Sequence, residues 1–135
     1  MVNVKNLYYS VSGAIKGICD KTYYQDRPTS VDERINSYAV VSLPSAIVNN
    51  EMDQSGAYRD FTTTVIIEVY VRDNMSASNP IGINLKVMQE KVQSVLGKFP
   101  IDTSSVLVSR PELVMQDNDG TGFHVTLIRA RLRTK

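Results

Sequence analysis

Residues Ala57 to Asp73 (AYRDFTTTVIIEVYVRD) run for seventeen positions without Gly or Pro. They are rich in β-branched and aromatic side chains and read as one continuous strand. At ~3.3 Å per residue such a strand spans roughly 56 Å. A compact chain of 135 residues has a radius of gyration of roughly 14 Å and is about 37 Å across. The strand must therefore bend sharply or leave the body as an arm, and arms of this kind are stabilised by a neighbouring subunit. Assembly, rather than catalysis, is the first expectation.

Upstream, Tyr38 to Leu43 (YAVVSL) reads as a second strand, which Ser45 to Met52 (SAIVNNEM) continues beyond Pro44. Asp53-Gln54-Ser55-Gly56 supplies turn chemistry. The spacing predicts one long hairpin, roughly 38–52 against 57–72. Pro44 cannot donate to a ladder and marks a bulge, a bend or an edge. At the base, alternation puts Val65, Ile67, Val69 and Val71 on one face and Ile66, Glu68, Tyr70 and Arg72 on the other. The tip carries Asn49, Asn50, Glu51, Asp53, Gln54, Arg59 and Asp60. An apolar base with a polar tip predicts a rooted β-arm over roughly residues 44–60. The competing reading is a mobile loop over residues 44–57 without a partner.

The length suits one domain, residues 1–135, with a real core. A formal net charge of +1 gives no global field toward nucleic acid or a membrane surface. No apolar run approaches the ~18 residues that span a bilayer, and Met1 to Ser10 lacks the pattern of a signal peptide. The single cysteine, Cys19, cannot close an internal disulfide, so a reducing cytoplasm is expected.

Val4, Leu7, Val11, Ile15 and Ile18 recur at helical spacing and predict a helix over 4–19, with Gly13 and Gly17 opposite. Residues 20–37 are polar and include Pro28; they read as a connector, with a helical turn at Ser30 to Arg34 where Ser30 and Glu33 have capping-box spacing. A second helix is expected from Asn79 as N-cap and Pro80 at the first position to Gly97. Its stripe is Ile81, Leu85, Met88, Val92, Val95 and Leu96, and Lys91 falls on the solvent side. Ser105 to Ser109 and Gly122 to Arg133 read as strands joined through a turn at Asp117-Asn118-Asp119-Gly120. The fold class is α+β in the order α-β-β-α-β-β: an antiparallel sheet with two helices packed on one face and a long protruding hairpin.

Chemistry is sparse. His124, the only histidine, alternates with Thr126 and Ile128 in a strand and reads as structural. Cys19 has no neighbouring base to activate it and reads as a small apolar filler. The 117–120 segment fails as a calcium loop, because Met115 and Thr126 stand where ligands are needed. No catalytic, cofactor-binding or metal-ligating residues are expected. Arg129, Arg131, Arg133 and Lys135 recur at period two, so an extended strand presents all four on one face and Ala130 and Leu132 on the other. That row is either a contact for an acidic surface or nucleic-acid backbone, or a charged strand end that discourages edge aggregation.

The order of elements, with Tyr38-Ala39-Val40-Val41 leading to Leu43-Pro44, a long strand ending Ile67-Glu68-Val69-Tyr70-Val71-Arg72, a capped helix and a terminal strand, resembles the tail-terminator and head–tail joining proteins of tailed bacteriophages. The resemblance implies a structural virion protein, assembled in the bacterial cytoplasm, that forms a commonly six-fold ring. Such a ring ends the tail tube and meets the head connector. Its partners would be further copies of itself, the tail tube protein and the connector, with no membrane and no sequence-specific nucleic acid, although DNA would pass through. Expected interface residues are Asn49, Asn50, Glu51, Asp53, Gln54 and Arg59 on the hairpin, with Asp117 and Asp119 facing Arg129, Arg131 and Arg133 across the ring. The alternatives are a head-closure or neck ring protein, and a cytoplasmic homo-oligomeric binding module whose arginine strand captures an acidic ligand.

Overall fold

A computed structural model describes residues 4–43, 48–52, 58–74, 78, 84–104, 106–118 and 122–134. The chain is a mixed α+β fold, rich in strand. Its elements are α1 (Val4–Ala14), β1 (Lys21–Tyr24), β2 (Ser37–Ser42), β3 (Val48–Met52), β4 (Tyr58–Arg72), α2 (Leu85–Leu96), β5 (Ile101–Asp102), β6 (Val106–Val108), β7 (Glu112–Asn118) and β8 (Phe123–Thr134). The sheet runs β1-β2-β4-β8-β6-β5, with β3 also on β4 and β7 also on β8.

The long strand organises the rest. β2 pairs antiparallel with the C-terminal half of β4, from Ser37 opposite Val71 to Ser42 opposite Ile66. β3 pairs with its N-terminal end, from Val48 opposite Thr62 to Met52 opposite Tyr58. Between Ser42 and Val48 the chain advances six positions, and between Ile66 and Thr62 only four, so the register resumes with a shift of two. Pro44 itself lies outside the described residues. On the other edge of β4, β8 pairs from Thr62 opposite Arg133 to Arg72 opposite Phe123.

Period-two alternation gives the sheet its main core. Val65, Ile67, Val69 and Val71 are buried with Ala39, Val41, Ile128, Ala130 and Leu132. Leu7, Val11 and Ile15 from the α1 region and Met88, Val92 and Val95 of α2 belong to the same cluster. A buried side chain of this size contributes roughly 1.5–3 kcal/mol, so these contacts fix both helices against the strands. Lys91, expected in solvent, instead reaches across and donates to the Ile18 carbonyl (2.6 Å).

Several elements differ from the sequence expectation. Helix α1 stops at Ala14 rather than near Cys19, and Gly17 then takes a positive φ of 85° that an L side chain resists. The cap of α2 is Asn84, whose side chain accepts from the Val87 N–H (3.3 Å), and the helix starts at Leu85. Asn79, Pro80 and Ile81 lie outside the described residues. As the first helical residue, Leu85 is 71% exposed rather than part of the buried stripe.

The connector is the largest correction. Lys21–Tyr24 forms β1, which pairs parallel to β2, so the sheet is mixed rather than wholly antiparallel. Parallel neighbours need a crossover of about a dozen residues, and residues 25–36 make it; in place of a helical turn over Ser30–Arg34 it holds a single hydrogen-bonded turn, in which the Ile35 N–H donates to the Asp32 carbonyl (2.9 Å). In crossing, Val31 and Ile35 pack on a second cluster of Tyr38, Val40, Tyr70, Phe123 and Val125, on the sheet face opposite the main core. Tyr38 stacks on Tyr70 (4.5 Å between ring centroids) and meets Phe123 edge-on (5.1 Å). With both faces covered, every residue of β2 is buried. Strand β7 is likewise unforeseen: Asp117 sits within it, opposite Val125, rather than in a turn. Asp119 and Gly120 lie outside the described residues.

Candidate interaction surface

Strand β8 links two unlike regions. At its start, His124 is 4% exposed. Its Nε2 accepts from the Asn84 backbone N–H (3.2 Å). A backbone N–H can only donate, so the ring proton is on Nδ1, which donates to Asp73 Oδ1 (2.8 Å). The imidazole thus ties the end of β4 to the N-cap of α2. With both nitrogens engaged it has no free position from which to move a proton for a substrate.

At the far end the alternation is reversed in character. Ala130 and Leu132 are buried, while Arg129, Arg131 and Arg133 are exposed on the opposite face. Register places Arg129 opposite Ile66 and Arg131 opposite Thr64 on β4. On its other edge β8 passes from β7, which ends its pairing at Arg129, to β6, which begins at Leu132. Ser109 closes that gap: its N–H and hydroxyl donate to the Arg131 carbonyl (2.9 and 3.2 Å). This places the next residue, Arg110, beside Arg131.

The result is an open basin of about 450 Å³ lined by Thr64, Ser109, Arg110, Glu112, Arg129 and Arg131, among others. Glu112 lies opposite Arg129 in the β7–β8 register, and its Oε1 accepts from Arg129 Nη2 (2.6 Å) and Nε (3.0 Å). Both partners are about half exposed or more, so the pair is worth less than about 1 kcal/mol of stability. Its effect is to set the direction of the Arg129 fork. Among the described lining residues, three guanidiniums against one carboxylate leave a local charge of +2. Arg110 and Glu112 were not singled out from sequence; the Arg-Pro-Glu run that holds them carries no period, and only the turn into β7 brings them to β8.

Asn49, Asn50 and Glu51 are in β3 and Arg59 is in β4, on the part of the long strand beyond the reach of β8. Asp53, Gln54 and Asp119 lie outside the described residues. Asp117 is in β7, five positions along from Glu112.

Burial pushes the Cys19 thiol up to about 11, an effect that the nearby Lys91 ammonium and the Ser37 hydroxyl only partly offset. Packed beside the main core, it is a poor nucleophile at neutral pH. Tyr70 is raised above the ordinary phenol range by burial and by donating its O–H to Glu68. Among the described residues no group of three or more His, Cys, Asp or Glu is placed to hold a metal ion, and no helix is long and apolar enough to cross a membrane.

No protein-family model matches the chain, and no curated protein matches it. A solved structure 13% identical to this chain covers 97% of it and 89% of its own length, with a TM-score of 0.57. At that identity the likeness is one of fold alone.

Proposed function

We propose that this chain is a structural ring protein at the head-proximal end of a phage tail, ending the tail tube and joining it to the head connector. On this reading both helices pack on one face of the sheet, and the β3–β4 hairpin protrudes as the arm that reaches a neighbouring copy. The observation that carries it is the mismatch in length between β4 and β8. Pairing with β8 stops at Thr62, while β4 extends to Tyr58 with β3 on its other edge. Among the described residues no strand pairs with the β8-side edge of Tyr58–Phe61, and an open backbone edge is a template for pairing with another chain. The sequence resemblance supplies the setting, since tail terminators and joining proteins are small ring subunits of this kind.

Native mass measured across a wide concentration range tests the proposal. A discrete closed species, near six subunits, is expected; a monomer throughout would leave a subunit that assembles only on its template, or a binding module. Deleting residues 46–56 is expected to leave a folded protein that no longer assembles. Loss of the cooperative unfolding transition in that variant would mean the segment belongs to the core, and the arm reading would fail.

A further inference from the structure

We infer that the basin between β6, β7 and β8 is a binding site for phosphate oxyanions, independent of whether the chain forms a ring. Three features of its construction converge. The guanidiniums come from two separate elements, Arg110 from the turn before β7 and Arg129 and Arg131 from β8, so they flank a shared volume rather than line up in solvent. Arg129 already has its carboxylate: Glu112 holds it through Nη2 and Nε. That fixes the fork and leaves the net +2 of the basin to a ligand.

A phosphate monoester or free phosphate carries about −1.5 to −2 at neutral pH, which matches that charge. Guanidinium geometry suits its oxygens, because planar forks meet phosphate with paired N–H donors. The volume, about 450 Å³, falls in the range of small-ligand sites. Ser109 does not compete for the ligand through its N–H or hydroxyl proton, since both are spent on the Arg131 carbonyl; its role is to hold Arg110 and Arg131 together.

The phosphate has two possible sources, a free phosphate or monoester and the phosphodiester backbone of a nucleic acid. Both use the same cations, but a diester brings a single charge per phosphate, so two successive phosphates are needed to match +2. The test is a titration of the whole chain at constant ionic strength, followed by nuclear magnetic resonance, with inorganic phosphate in one arm and a short thymidine oligonucleotide in the other. Saturable shifts confined to residues 109–112 and 129–131 are expected, weakened at least tenfold by R110Q and by R131Q while the unfolding midpoint stays put. In the phosphate arm, binding tighter than to the oligonucleotide identifies a free phosphate or monoester. Tighter oligonucleotide binding, with a log–log salt slope near −1.4 for two phosphates at about −0.7 each when that arm is repeated at several salt concentrations, identifies a backbone. Shifts that do not saturate, equal shifts with chloride, or tighter binding of a glutamate oligopeptide of the same charge would each overturn the inference.

Discussion

The two ends of β8 follow one alternation rule and reach opposite outcomes. Along Phe123–Leu127 the side chains facing away from the helices are covered by the crossover of residues 25–36 and join Tyr38 and Tyr70 in a second core. Along Arg129–Arg133 the same face lies open and carries cations. Arg72 belongs to the closed end although it too is charged. Its Nη2 donates to the Ile35 and Asp32 carbonyls (2.7 and 3.2 Å), and its guanidinium sits 4.7 Å over the Phe123 ring. A cation on this sheet face is therefore structural where a connector passes over it, and solvent-exposed where none does. The cover decides, not the residue type.

The largest expected break in that contrast is Tyr38→Ala. Tyr38 is 2% exposed and touches three aromatic rings, so denaturant unfolding is expected to show a loss of about 3–5 kcal/mol. A loss below about 1 kcal/mol, typical of a surface change, would mean that residues 25–36 do not form a packed layer. Next is His124→Leu, which leaves the Asp73 carboxylate and the Asn84 N–H without their imidazole partner. The same assay is expected to give a loss of about 2 kcal/mol, with faster amide exchange at the start of α2. Unchanged exchange there would show that the imidazole does not hold the cap.

Smaller effects come from the raised acids. The folded-state pKa of Cys19, about 11, lies above the ordinary 9.0, so the folded chain holds that proton more tightly than the unfolded one. Its contribution is complete below pH 9 and is lost as pH rises through 11. Tyr70 is raised as well and acts in the same direction. Stability measured from pH 8 to 11.5 should fall, with a shallower fall in Cys19→Ala; parallel curves for the two proteins would contradict the assigned shift. The smallest effect belongs to the open end. Arg129→Gln removes an exposed ion pair and is expected to change stability by no more than about 0.5 kcal/mol. A change above 1.5 kcal/mol would make that end structural and erase the contrast with Arg72.

Much of this was readable from local pattern. The faces of β4 followed from Val65, Ile67, Val69 and Val71, because strand alternation is a property of the backbone and needs no partner to define it. The exposure of Arg129 and Arg131, with Ala130 and Leu132 inside, followed for the same reason. Leu7, Val11 and Ile15 declared the α1 region, and Met88, Val92 and Val95 declared α2, by helical spacing. The start of α2 was misjudged because Asn79-Pro80 and Asn84 both satisfy the local rules for a cap. What selects Asn84 is His124, forty residues away.

The amino-acid sequence by itself determined which residues alternate, which repeat at helical spacing, and that one long strand, β4, runs through Tyr58–Arg72. Tertiary structure alone decided that residues 25–36 cross the sheet and build a second core, because that crossover follows from β1 running parallel to β2, and strand direction is not written in either segment. It also decided that Arg110 and Glu112 complete the basin. Their separation from Arg129 and Arg131 along the chain is closed by the β6–β8 and β7–β8 registers, and pairing between distant segments depends on the whole sheet rather than on any local pattern.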